Sequence, residues 1–424
     1  MKYFAKIIAV TLALLFGSQT GFGDPVESAE QARYRWKSGK IRIAISRSVL
    51  LAASINSPDS SAYEAVRRGI DAWQGIADVE LVTEISDREN ANISGAGGDG
   101  ISLITIAPTA ENILLFGKDD LDAAAKTRVF YNRRDHITEA DIVLNPYQQF
   151  STDGRYGTYD LENVITHEIG HLLGLRHNGV FGSIMYRTAP KNGIFGLADI
   201  SNRKISATDR SELREIYGAQ VGDVCCGQIT GRLISAAKSA RTFEVWVESV
   251  NSGRVVGQAA VKRDGSFRVG GLDAGEFRVF TRASDLNGNT GVFEVGNVTV
   301  AKGEAQELNK KIGKLGKGVS FSLLGINGLL GDSNLKLTRG QSYTIYVGGS
   351  GFDADSLKLR TNSDVVTIES GSIRELDYVD GVSAVSFRVV VDPEAPEGNY
   401  SIFGVASNGS TDAIIGGLTV STDR

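Results

Sequence analysis

Residues 167–177 read HEIGHLLGLRH, from His167 to His177, and Met185 follows eight residues later. The chain has only four histidines, and three of them stand in this stretch at offsets of zero, four and ten. Four residues of α-helix advance about 400°, so His167 and His171 project from nearly one face, roughly 6 Å apart along the axis. Two imidazoles so placed can share one ion. Zinc takes bonds of about 2.0–2.1 Å to histidine nitrogen, and a catalytic zinc keeps three protein ligands and leaves a fourth position to water. Gly174 lies three residues past His171. A helix can end there through a left-handed residue that glycine adopts without steric cost, turning the chain so that His177 supplies the third ligand.

Glu168 is one step, about 100°, around the helix from His167, so it points beside the metal and is placed to act as general base. A bound zinc lowers the pKa of its water to roughly 7; Glu168 would take the proton during attack on a carbonyl and return it to the leaving amine. HExxH alone arises by chance, but the glycine, the third histidine and the methionine together point to a catalytic zinc site. Val164, Ile165, Ile169, Leu172 and Leu173 supply an apolar surface for the same helix, and Asp160 is a suitable N-cap before it.

HEIGHLLGLRH with SIMY at Ser183–Tyr186 resembles the metzincin metalloproteases, and among them the matrixins. The likeness spans residues 33–218: RYRWKSGKIRIAIS from Arg33 is similar to the matrixin first strand, and YEAVRRGIDAWQGIADVELVTEI from Tyr63 to its first long helix and second strand. ITEADIVLNP from Ile137 is similar to the strand before the active-site helix, and ISATDRSELREIYG from Ile205 to the closing helix. The resemblance implies a twisted, mostly parallel sheet with an antiparallel edge strand that holds substrate, here near residues 123–130. It implies His167, His171 and His177 as zinc ligands, Glu168 as base and Met185 as support beneath the metal. Tyr186 to Pro190 would form a wall of the pocket for the side chain after the scissile bond. Asn178 stands where animal matrixins usually have serine; His136 is the one histidine outside the motif, too few for a second, structural zinc; and no cysteine precedes Cys225, which excludes a thiol latch.

Residues 1–23 read as a secretory signal peptide: lysines at 2 and 6, the apolar run IIAVTLALLF, then Gly21 and Gly23 before Asp24. That run is half the roughly 20 residues a membrane span needs, and no later segment is longer, so an exported protein without a span is expected. A formal net charge of −5 with no basic stripe argues against nucleic acid as a partner. The only cysteines, Cys225 and Cys226, are adjacent. Neighbouring Cα atoms about 3.8 Å apart fall short of the roughly 4.4 Å of a relaxed disulfide, which favours two thiols at a domain junction over a vicinal or intermolecular bridge.

The expected organisation is multidomain: a short N-terminal or pro segment at 24–32, an α+β metzincin-type catalytic domain at 33–220, and two β-sandwich domains. A linker at 221–227 leads to a module at 228–312 whose DGSFRVGGLDAGEFRVFTRA, from Asp264, resembles the transthyretin-like modules appended to carboxypeptidases. A second linker at 313–318, within the lysine- and glycine-rich NKKIGKLGKG, leads to a module at 319–424 that resembles bacterial immunoglobulin-like domains. Neither carries a catalytic cluster; they read equally well as independently folding spacers or as binders of a substrate or surface. The acidic turns GAGGDG, from Gly95, and KDDLD, from Lys118, lack any calcium-loop spacing, so Ca²⁺ is unsupported and Zn²⁺ is the one cofactor expected. The expected activity is a secreted zinc endopeptidase. The competing readings are an adhesion protein that keeps the protease fold and a zinc amidase acting on cell-wall peptides.

Overall fold

The computed structural model describes residues 34–422 except 38–39, 59–60, 93–97, 118–119, 198–201, 221, 224, 236–239, 286–288, 314, 316–317 and 380. Residues 1–33, and with them the signal peptide and the segment 24–32, lie outside the described residues.

The motif helix, α4 (Leu161–Leu172), starts at Asp160, whose carboxylate accepts the Asn163 N–H as an N-cap. Val164, Ile165, Ile169, Leu172 and Leu173 are all fully buried. They face a sheet built from β1 (Arg35–Trp36), β2 (Lys40–Ser46), β4 (Glu80–Ser86), β5 (Ser102–Thr105), β6 (Ala125–Tyr131) and β7 (His136–Leu144), with β3 (Ile55–Asn56), β8 (Phe150–Ser151) and β9 (Tyr159–Asp160) as a small separate sheet. In the main sheet β4, β2, β5 and β7 run parallel, while β6 pairs antiparallel with β7, register Ala125 to Leu144, at the margin of the sheet. Short helices α1 (Arg47–Leu51) and α3 (Ala110–Ile113) join strands, α2 (Ala62–Asp71) packs on α4, and α5 (Ala207–Tyr217) closes the unit. Gly69 makes the α2–α4 approach close, because a Cβ there would meet the Ile165 side chain at 2.8 Å.

Two further β units follow. In the first, a three-stranded sheet (Cys225–Ser235, Ser266–Asp273, Ala305–Ile312) and a four-stranded one (Ala240–Ser249, Val255–Ala260, Gly275–Asp285, Thr290–Val300) share a core that includes Ile229, Val245, Val269 and Val279. In the second, a six-stranded and a four-stranded sheet enclose Leu324, Val347, Phe387 and Ile414.

The boundaries differ from the sequence reading in three ways. The linker assigned to 221–227 is shorter, because Cys225 to Gly227 already pair with Asp273 and Leu272 as the start of a strand. The lysine-rich stretch from Asn309 that composition marks as linker-like begins inside a strand: Lys310 and Lys311, both exposed, pair with Leu233 and Ile234 on an edge strand that ends at Ile312, where the module boundary was placed. Cys225 and Cys226, expected as separate thiols, are joined to one another by a disulfide across a cis peptide, with Cα atoms 3.1 Å apart.

Nor are the β units strung out as spacers. Val180 of the motif loop, Trp246, Val255 and Phe280 of the first β unit, and Phe403, Ala413 and Ile415 of the second form one buried cluster. No helix among the described residues is long and apolar enough to cross a membrane.

Candidate metal centre

His167 and His171 leave the buried face of α4 together, and the chain beyond the helix brings back His177. Gly174 has φ +91°, and a Cβ there would collide with the Tyr34 carbonyl, so the turn needs glycine on both counts. The last helical carbonyls are held from outside: Trp36 Nε1–H donates to Leu172 O at 2.8 Å and Tyr217 O–H to Leu173 O at 2.7 Å.

The three ligand atoms of the histidines lie within 4.8 Å of one another, a group able to hold a metal ion. His167 Nδ1 sits 2.7 Å from Ile184 O and His171 Nδ1 3.0 Å from Leu175 O. Carbonyls only accept, so each Nδ1 carries the proton and each Nε2 presents a lone pair. Both lone pairs face His177 Nε2, at 3.2 Å and 3.1 Å. A proton on His177 Nε2 could satisfy only one of them, whereas a cation satisfies all three. Two zinc–nitrogen bonds of about 2.05 Å at a tetrahedral angle span about 3.3 Å, so the donor set fits zinc. Burial pushes His167 well below the usual imidazole range, helped by His171 and His177. Burial, with His171 and Arg187, takes His177 down to about 2. His167 and His177 are thereby held in the neutral form that binds metal.

Glu168 is buried beside this group, and Thr127 Oγ1–H, on β6, donates to its Oε2 at 2.5 Å. Met185 is fully buried beneath α4, where a Cβ on Gly170 would run into its sulfur. Tyr186 is buried and stacks on Phe181 with centroids 4.7 Å apart; burial, and then Asp332, push its phenol upward. Pro190 is half-buried four residues on.

Three participants escaped the sequence reading. Asp209 accepts the Ile184 N–H at 2.9 Å and the Met185 N–H at 3.2 Å, and also takes the Ser183 hydroxyl, which shapes the methionine turn. SATD at 206–209 reads as a capping box, and the box is present, but nothing local shows its acid reaching a turn 24 residues earlier. Trp73 donates from Nε1 to Thr166 O at 2.8 Å, packed beside Gly170. Thr127 is a third, visible only once β6 lies along α4. Of the acidic turns, Asp99 is paired with Arg88 and Asp120 with Lys126.

The matrixin family matches residues 119–218. Matrilysin of Felis catus is 42% identical over 66 residues, 16% of this chain and 23% of its own length, so the match spans about a quarter of that relative. Among solved structures, BcpA, the major pilin subunit of Bacillus cereus, is 13% identical, covers 44% of this chain and 66% of that one, and has a TM-score of 0.16. The SGBP-B protein of the Bacteroides ovatus mixed-linkage glucan utilization locus, solved with a mixed-linkage heptasaccharide, is 12% identical over 45% of this chain and 42% of that one, TM-score 0.16. Overlaps this low carry no argument. The matrixin match spans the three-histidine group, and together with the matrilysin likeness it supports a matrixin-like metzincin catalytic domain in this part of the chain.

Proposed function

We propose that this protein is a zinc-dependent endopeptidase, exported by the leader at residues 1–23. The observation that supports it most directly is the convergence of three imidazoles, with the buried Glu168 next to His167 on the same helix. His167, His171 and His177 would hold the zinc, which supplies Lewis-acid chemistry: it acidifies a water and polarises a carbonyl. Glu168 takes the proton of the attacking water and hands it to the leaving amine, and Thr127 keeps the carboxylate aimed while it does so. Met185 supports the histidines from below, packed into the space Gly170 leaves. An extended substrate would add to the margin of the sheet along β6, whose outer side pairs with no other strand among the described residues. The residue after the scissile bond would meet the wall at Tyr186 to Pro190.

The test is cleavage of unfolded casein by the chain from Asp24, beside Glu168→Ala and a chelated sample with zinc added back. Cleavage that disappears in Glu168→Ala and returns with zinc supports a peptidase. A folded, zinc-loaded protein that leaves casein intact, with or without residues 24–32, would replace this reading with the adhesion protein. Activity confined to cell-wall peptides would replace it with the amidase.

A further inference from the structure

A cavity of about 490 Å³ opens where all three units meet. Its walls are the segment 202–210 leading into α5, Arg254 and Val255 of the first β unit, and residues 334–336, 397–399 and 419–421 of the second. Five of its lining residues are cationic, Arg203, Lys204, Arg210, Arg254 and Lys336, against one carboxylate, Glu397, in a chain whose overall charge is −5.

Two of the cations have acidic partners: Arg203 holds Asp160 at 2.5 Å and Lys204 approaches Glu397 at 3.6 Å. The other three have no carboxylate within ion-pair distance among the described residues. Arg254 is anchored by neutral groups, donating to Glu397 O at 2.7 Å and Ser252 Oγ at 3.1 Å. The carboxylates nearest Arg210 are taken: Asp223 and Asp273 by Arg214, and Asp209 by the methionine turn. Lys336 lines the cavity from the second β unit. The N-terminus of α5 is not the attraction, because Ser206 and Asp209 cap one another there. Between the cations lies a neutral polar surface, Asn334 donating to Thr419 Oγ1 at 2.7 Å and Thr419 to Asn399 Oδ1 at 3.0 Å.

Half-buried cations of one sign around a cavity are favourable only when a counter-charge is present, and arginine with lysine suits the oxygens of phosphate and sulfate. The volume exceeds that of a bare ion and lies in the range of small-ligand sites. We propose that this cavity binds a small hydroxylated ligand bearing a phosphate or sulfate group, such as a phosphorylated or sulfated sugar, with Arg210, Arg254 and Lys336 on the anion. A ligand there would tie the three units together. It would also stiffen the active-site helix, because Arg203 grips the Asp160 cap and Asn202 donates to Gly182 O at 2.7 Å.

The test is calorimetric titration of the full chain with inorganic phosphate, inorganic sulfate, glucose 6-phosphate and glucose 6-sulfate at constant ionic strength, with sodium chloride as control. The expected result is saturable binding of at least one phosphate or sulfate species and a raised thermal midpoint. Binding should weaken about tenfold or more in Lys336→Gln and in Arg210→Gln, each losing a charge-assisted contact. Tighter binding of the sugar esters would assign the neutral wall to hydroxyls; equal binding of the inorganic ions would reduce the ligand to the oxyanion itself. No saturable binding beyond the chloride control, or binding unchanged in both variants while their unliganded midpoints match the wild type, overturns the site. The readout is binding, so it is independent of whether the protein cleaves peptides.

Discussion

At the scale of single residues, the proposed chemistry rests on Glu168 and on the threonine whose hydroxyl donates to it. A general base contributes about 10²–10⁴-fold, so Glu168→Gln should lower kcat/KM by that order while zinc content, measured by atomic absorption, stays at one per chain. Thr127→Val removes a hydroxyl donor placed 2.5 Å from the Glu168 carboxylate. A hydrogen bond to a charged group is worth about 1.5–3 kcal/mol, which predicts a fall in kcat of about tenfold or more with KM little changed. An equal rise in KM would show that Thr127 serves substrate binding instead. The pairing of His167 with His171 was legible because helix geometry converts a spacing of four residues into a shared face. Thr127 was not, because its partner lies 41 residues away across a strand–helix contact that no local pattern encodes.

At the scale of elements, α4 is a helix gripped at both ends and closely packed in the middle. Its cap, Asp160, is fully buried and paired with Arg203 at 2.5 Å, so Asp160→Ala removes an N-cap and takes from the guanidinium its nearest carboxylate, leaving Glu162 at 3.6 Å. Breaking a fully buried pair costs about 3–5 kcal/mol; the Arg203 side chain is 30% exposed and keeps Glu162 at 3.6 Å, which places the expected loss below that range, about 2–3 kcal/mol by urea denaturation. Gly170→Ala would push its new methyl against the Met185 sulfur and lie 3.1 Å from Trp73. Overpacking of that kind costs about 1–3 kcal/mol, and if Met185 supports the histidines as proposed, zinc affinity should fall with stability. Unchanged zinc affinity in a destabilised Gly170→Ala protein would show that the methionine matters for packing alone. The sequence marks α4 clearly through its cap, apolar stripe and terminal glycine. The edge strand was placed at 123–130 and forms at Ala125–Tyr131, since alternation in a half-buried strand leaves its ends loosely specified.

For the whole molecule, the loop after His177 belongs as much to the β units as to the catalytic one. Phe181 N–H and Gly182 N–H donate to Ile415 O at 2.9 Å and Gly416 O at 3.1 Å, Thr188 donates to Asp332 at 3.1 Å, and Phe195 is buried in the core of the last unit. Arg282 of the first β unit pairs with Asp412 of the second at 3.1 Å and with Glu244 at 3.1 Å, and donates to Ala413 O. Phe195→Ala should therefore destabilise the full chain by about 3–5 kcal/mol, the cost of an emptied aromatic site, although Phe195 stands outside the β units in sequence. A loss below about 1 kcal/mol in chemical denaturation would mean that the units are not energetically joined there. A chain ending at residue 218 should lose peptidase activity, because Val180 and Phe195 would face water and the Tyr186 wall would lose its backing. Retained activity in that truncation would return the β units to the role of spacers.

By itself the sequence determined the three-histidine group and the helix that carries it: histidine spacing, cap and terminal glycine all act within a few turns, where the backbone period dictates geometry. It also determined that two strand-rich units follow, since alternating apolar positions and turn residues are local signals. Tertiary structure alone decided what surrounds the site. Thr127 on the base, Asp209 beneath the methionine turn, Phe195 in a distant core and the cations gathered between the three units come from segments far apart in the chain. They meet only when apolar faces are buried against one another, and burial is a property of the whole fold, not of any stretch of it.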